Sequence, residues 1–311
     1  MKITKTFLMP LALSFIANLA SADVRLPSIF GDNMVLQQGL ECPIWGWADP
    51  SEKITVTVKG VKHNVVADKS GQWRVKLKKL ETSNDPIAIT IRGKNSIELK
   101  NVLIGEVWVC SGQSNMGFPV AAAKDPDLEQ LSANYPNIRL ITGPRVGTQE
   151  PQDDFDGQWE VCTPDTVGQF SAVGYFFGRQ IHQTLNVPVG LIDNAWGGSA
   201  CEAWIQRNRL EKLPAAKPYM AQWAETEARF DEAKIKADYE NKLVLWQKRV
   251  EKAKSSKKPA PKKPRPPRNP LIGQHRPANL YNGVLNPIMG YGIKRAVYYQ
   301  YHNYPTRAKP F

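Results

Sequence analysis

The stretch Ile104-Gly105-Glu106-Val107-Trp108-Val109-Cys110-Ser111-Gly112-Gln113-Ser114-Asn115-Met116 decides how this chain is read. A β-rich apolar run breaks at Ser111-Gly112, and a hydroxyl, Ser114, follows where a helix can begin. Turns at the carboxyl end of a parallel strand are where open α/β sheets place their ligands. Such a turn also suits an exposed nucleophile. The strand fixes its position, the glycine permits a sharp bend, and a helix N-terminus offers free N–H donors. The same spacing also describes an ordinary strand-to-helix turn with a capping serine, the commoner outcome for Gly-x-Ser strings.

Downstream of this stretch, helical and strand patterns alternate. Asn137 to Ile141 is a candidate strand, and Val173 to Leu185 reads as a helix ending near Asn186, before Pro188. Pro188 to Asp193 and Gly292 to Tyr298 are further strands. Strands separated by helices imply right-handed βαβ units and a parallel sheet. Upstream, from Asp23 to about Val102, the pattern is β-like. Lys53 to Lys59, Trp73 to Leu77 and Pro86 to Ile91 are strand candidates, separated by turn residues such as Lys69-Ser70-Gly71 and Gly93-Lys94-Asn95. That spacing predicts a small antiparallel sandwich. It holds no nucleophile with a base, so it reads as an accessory domain, structural or glycan-contacting, with the structural role favoured.

An insert over 210–270 is rich in Ala, Glu and Lys and then in Lys and Pro. Tyr239, Leu243, Trp246 and Val250 fall on one face of a helix, the usual mark of packing. Between Lys252 and Arg268 stand eight basic residues, five prolines and no acidic residue. This segment is expected to be an extended, solvated loop. Those eight charges, with Lys2 and Lys5 of the leader, leave only +2 of the formal +12 for the rest of the chain. The basic balance therefore describes one segment and gives no ground for a nucleic-acid partner.

Residues 1–22 read as a secretory signal peptide: Lys2 and Lys5, an apolar run from Phe7 to Ala20, then Ala20-Ser21-Ala22. The run is shorter than the roughly 20 residues a membrane span needs, and Pro10 and Asn18 interrupt it. An exported protein is expected, periplasmic or extracellular, with no membrane span. Export permits disulfides, but the four cysteines (Cys42, Cys110, Cys162 and Cys201) allow three pairings that sequence does not separate. Cys110, ending an apolar strand, reads as simply buried. With no Cys-x-x-Cys and no His-x-x-x-His, neither a metal nor a cofactor is expected.

The wording of the opening stretch goes further than its spacing. Val107 to Met116 resembles the nucleophile block of the SGNH hydrolases, in their sialate O-acetylesterase branch. Phe170 to Gly178, Val189 to Ile192 with Ala195-Trp196-Gly197-Gly198-Ser199, and the early Arg25-Leu26-Pro27 and Asp32 to Gln37 agree in order and spacing. The resemblance implies a three-layer α/β/α domain of SGNH (flavodoxin-like) type over 104–311, preceded by an all-β sandwich over 23–103. It implies an enzyme that removes O-acetyl groups from sialic acid or a related glycan. Ser114 would be the nucleophile, and its own N–H and the Gly197-Gly198 turn the oxyanion donors. Gln113, Asn115, Trp196 and Gln300 join the substrate-binding candidates, although a core Trp is the commoner outcome for Trp196.

One block departs from the family. Where the family reads Trp-Tyr-Gln-Gly-Glu-Ser-Asn, this chain has Tyr298-Tyr299-Gln300-Tyr301-His302-Asn303-Tyr304. The family's Asp-x-x-His pair is also missing. The residues three before His63, His182, His275 and His302 are Gly60, Arg179, Ile272 and Tyr299. A domain incomplete at its C-terminus is therefore expected, with the strand near Ile293 left at a sheet edge. A second function competes with the esterase: an inactive, esterase-like glycan-binding module lacking its base. The leader gives the first prediction. Intact-mass measurement of secreted protein should show a chain beginning at Asp23, and a full-length cytoplasmic product would contradict it.

Overall fold

A computed structural model describes residues 23–300. The leader and His302 lie outside the described residues. The strands are β1 (Val35–Gln37), β2 (Pro43–Trp47), β3 (Lys53–Val58), β4 (Val61–Val66), β5 (Gln72–Lys76), β6 (Ser83–Arg92), β7 (Ser96–Gly112), β8 (Tyr135–Thr142), β9 (Glu160–Cys162), β10 (Val189–Ala195) and β11 (Arg295–Tyr299). The helices are α1 (Pro126–Leu131), α2 (Pro164–Val167), α3 (Ala172–Leu185), α4 (Arg207–Lys212), α5 (Lys217–Arg229) and α6 (Glu232–Ser255).

Strand β7 serves two sheets. Its first half pairs antiparallel with β6, beyond which lie β3 and β4, and Leu103 to Gly105 pair in parallel with β1. Its second half pairs in parallel with β10 on one side and β11 on the other. Strand β10 then pairs in parallel with β8, and β9 closes that side antiparallel. The strand order is therefore β9-β8-β10-β7-β11 in the α/β half, with β2 and β5 forming a separate two-stranded sheet. The boundary drawn at 103/104 from sequence falls inside β7. Among the described residues, β11 pairs only with β7.

Alternation along β7 feeds two cores. Val107 and Val109 point to a core shared with Ile192, Ile141, Trp159 and Tyr291, continuous with the β-rich half through Val56, Ile91 and Trp73. Cys110 faces the other way, against Leu140, Leu191 and Tyr175 of α3. Helix α3 begins where Ser171 accepts from the Gly174 N–H and ends at Asn186, which has a left-handed backbone (φ 51°). All four cysteines are free thiols, and burial raises those of Cys42, Cys110 and Cys162 to about 11, 12 and 12. No helix of the described residues is long and apolar enough to cross a membrane.

The insert forms α5, α6 and an extended return. On α6 only Ile235, Tyr239, Leu243, Trp246 and Val250, with Ala253 in its last turn, are partly covered. What covers the stripe is the proline-rich segment, which is extended, as expected, but is laid along the helix. Trp246 Nε1 donates to the Pro261 carbonyl at 2.8 Å and the Tyr239 hydroxyl to the Pro264 carbonyl at 3.3 Å. An extended polyproline chain repeats every three residues, so Pro261 and Pro264 face the same side.

A buried arginine joins the two halves. Arg139 on β8 is 3% exposed, and burial lowers its pKa to about 10. Among the described residues no carboxylate meets it. It donates to the carbonyls of Pro136, Asn33 and Asn101 and to Oδ1 of Asn101, at 2.8–3.1 Å. Asn33, in a turn, and Asn101, within β7, both have positive φ. Removing the guanidinium strands buried acceptors that each cost about 1–3 kcal/mol when unsatisfied. Arg139→Ala should therefore lower stability by roughly 3 kcal/mol in urea denaturation, and a loss below about 1 kcal/mol would show that the acceptors rehydrate.

Candidate active site

After Gly112 the chain closes one turn, with the Gly117 N–H donating to the Gln113 carbonyl at 3.0 Å. No helix starts at Ser114, contrary to the sequence expectation, and the first α-helix begins only at Pro126. The reason lies at Pro119, which lacks an N–H and biases Phe118 to extended backbone. The segment bridges to Ser171 instead, and the Ala172 N–H donates to the Phe118 carbonyl at 2.7 Å. Ser114 sits exposed on the turn, with Asn115 exposed beside it and Gln113 buried behind. Gly112 has φ 136°, and a Cβ there would lie 2.2 Å from the Tyr299 carbonyl oxygen. Only glycine fits, because β11 ends against it.

The end of β10 supplies the facing wall. The Trp196 N–H donates to the Gly112 carbonyl at 3.0 Å, and the Ser199 N–H closes a turn onto the Trp196 carbonyl at 3.2 Å. Gly198 takes φ 73° in that turn. A Cβ on Gly197 would lie 3.5 Å from Ser114 Cβ and 3.6 Å from its Cα, so the Gly197 backbone rests against the serine. Gln300 Nε2 donates to the Ser199 carbonyl at 2.7 Å and so braces the turn from the end of β11. Trp196 is half-buried against Trp204, Leu280 and Val284. Three strand ends thus converge on Ser114, and Trp196 belongs to the packing beneath the turn.

Sequence reasoning assigned no role to several residues that hold this arrangement. Gln274 accepts the Ala200 N–H at its carbonyl (3.1 Å), and its Nε2 reaches the Gly197 carbonyl at 3.5 Å. Asp193 accepts the Ala195 N–H at 2.9 Å and also bonds the Ser171 N–H. Ser171 Oγ in turn donates to the Met116 carbonyl at 2.5 Å. One carboxylate therefore ties the β10 turn to the Ser114 turn. An acidic residue closing the apolar run Val189 to Ile192 was the available signal. Ser111 Oγ and Asn194 Oδ1 are buried with no hydrogen-bond partner among the described residues. Among those residues no group of His, Cys, Asp and Glu side chains could hold a metal ion.

No protein-family model matches the chain. A sialate O-acetylesterase from Pongo abelii is 32% identical over 219 residues, 64% of this chain and 42% of that protein. The chain is a homologue of the sialate O-acetylesterases. The Homo sapiens sialate O-acetylesterase is 30% identical with the same coverage, and the Rattus norvegicus one is 26% identical over 91% of this chain and 53% of its own length. The crystal structure of a carbohydrate acetylesterase from Xanthomonas citri matches with a TM-score of 0.65 at 28% identity, over 89% of this chain and 51% of that one. The homologue described here thus spans about half the length of these relatives or less.

Asp193 in this sialate O-acetylesterase homologue gives a pH prediction. Burial raises its pKa from 3.8 to about 6, against the opposing pull of the Ala195 N–H, Arg145 and the Ser171 N–H. A folded pKa above the unfolded one means stability is fullest below about pH 4 and is lost as pH rises through 6. The ionised carboxylate then costs the folded state roughly 3 kcal/mol at neutral pH. Asp193→Asn keeps an acceptor for Ala195 and removes the charge. Its stability, measured by urea denaturation from pH 4 to 7, should stay flat where the unsubstituted protein declines.

Proposed function

We propose that the chain is a carboxylic-ester hydrolase that removes O-acetyl groups from sialic acid or a related glycan, with Ser114 as nucleophile. The observation that carries the proposal is the exposed Ser114 at the end of β7, against the backbone of Gly197. Ser114 Oγ, losing its proton to a base, would attack the acetyl carbonyl. The Ser114 N–H and the Gly197-Gly198 turn are the candidate donors for the oxyanion, and one such donor is typically worth about a hundredfold or more in rate. The sugar hydroxyl leaves with a proton, and water releases acetate from the acyl-enzyme. The names of the relatives, sialate O-acetylesterase and carbohydrate acetylesterase, support this substrate class. The leader-like first 22 residues support a reaction outside the cytoplasm.

The second reading is an esterase-like glycan-binding module without turnover. The sequence has no Asp-x-x-His. His63 lies on β4, and His182 in α3 has its Nδ1 at 2.7 Å from the Val187 carbonyl. Hydrolysis of 4-nitrophenyl acetate and release of acetate from O-acetylated sialic acid separate the two readings. Ser114→Ala should reduce turnover at least about a thousandfold, while Ser111→Ala should keep most of it. Equal losses would mean that the nucleophile is misassigned. Glycan binding by the unsubstituted protein with no acetate release would establish the second reading.

A further inference from the structure

The two-stranded sheet of β2 and β5 presents an aromatic face that plays no part in the site at Ser114. Trp45 and Trp47 alternate with buried Ile44 and Gly46, and the pairing places Arg74 opposite Trp45 and Gln72 opposite Trp47. These four side chains therefore share one face of the sheet. Together with the Asn286–Met289 segment and Asp153 they bound a cleft of about 350 Å³. Small-ligand sites run from about 300 to 1,000 Å³.

We infer that this cleft is a second glycan-binding site, taking one pyranose unit between the indoles of Trp45 and Trp47 and the side chains of Arg74 and Asp153. Indoles offer a flat apolar π-face to the C–H side of a sugar ring, and polar neighbours take its hydroxyls. The rings are held in advance: Arg25 stacks on Trp47 at 3.9 Å, and Arg74 on Trp45 at 4.9 Å. That preorganisation lowers the ordering cost of binding. The Arg74 guanidinium and the Asp153 carboxylate make no hydrogen bond or ion pair among the described residues, so the cleft lining offers a donor and an acceptor together. Trp73 also lines the cleft. It is only 3% exposed, and its indole N–H has no partner among the described residues. Gly290 leaves room for the arginine, since a Cβ there would lie 2.9 Å from the Arg74 guanidinium.

The inference rests on the glycan-esterase proposal only for the presence of a sugar polymer, and its test does not depend on turnover. Full-length protein carrying Ser114→Ala is titrated calorimetrically with N-acetylneuraminic acid, tetra-N-acetylchitotetraose and cellotetraose, which represent acidic, N-acetylated and neutral pyranoses. Saturable binding of at least one is expected, weakened tenfold or more by Trp47→Ala and by Arg74→Met, with thermal unfolding unchanged in Arg74→Met. In the Ser114→Ala background Trp47→Ala reports on binding alone. Restored to Ser114, it should leave 4-nitrophenyl acetate turnover unchanged. Absence of binding to all three probes, or binding that both substitutions leave intact, overturns the inference. Binding with no esterase activity would defeat the catalytic proposal alone.

Discussion

Where β7 passes from one sheet to the other, Val107 has an N–H that no strand of the first sheet reaches. The side chain of Gln37, at the end of β1, accepts that N–H through Oε1 at 2.8 Å, while the Lys294 N–H donates to the Val107 carbonyl at 2.8 Å. Gln37 is fully buried, and an unmet N–H at this depth would cost about 1–3 kcal/mol. Gly105 is equally constrained, because a Cβ there would lie 2.0 Å from the Pro188 carbonyl oxygen as β10 begins. Glu106 accepts from Gln38 Nε2 at 2.6 Å and meets Lys294 Nζ at 3.4 Å, so the new partners on both sides are fixed at this point. Everything downstream, including the position of Ser114, inherits its direction from this junction.

The same junction marks where the sequence could be read and where it could not. Alternation and apolar runs made β3, β5, β6, β8 and β10 legible, and Asn186 before Pro188 marked the end of α3. The edge was placed at 103/104, where the β-like pattern gives way to the apolar run that leads to Ser114. An unbroken strand exchanging its neighbours leaves no mark in local pattern. Its signature is the pairing of residue 37 with residue 105, which is tertiary. The missing helix at Ser114 was more legible, since Pro119 stands five residues on.

At the candidate site, the resemblance located Ser114 and the Gly197-Gly198 turn, and the geometry brings those residues side by side. Asp193 and Gln274 escaped notice for a shared reason. Each bonds backbone atoms of another segment, Asp193 the Ser171 N–H and Gln274 the Gly197 carbonyl, and such partners depend on how strand ends meet in space. A serine and a glycine pair carry their chemistry in their identity, whereas a buried carboxylate or amide carries it in its surroundings.

The helix–polyproline arm behaves as a different kind of matter from the sheets. No residue of α6 is buried, and its aromatic stripe rests on a chain segment that forms no ladder. Cooperative unfolding units follow buried apolar contact, so the arm belongs at the low end of the local stability scale while β7 sits at the top. Opening the arm breaks two long-range side-chain hydrogen bonds to proline carbonyls and leaves the α/β core packed. The sheets and the arm are therefore held together by different means, and a change of length in the arm leaves the packing around β7 untouched.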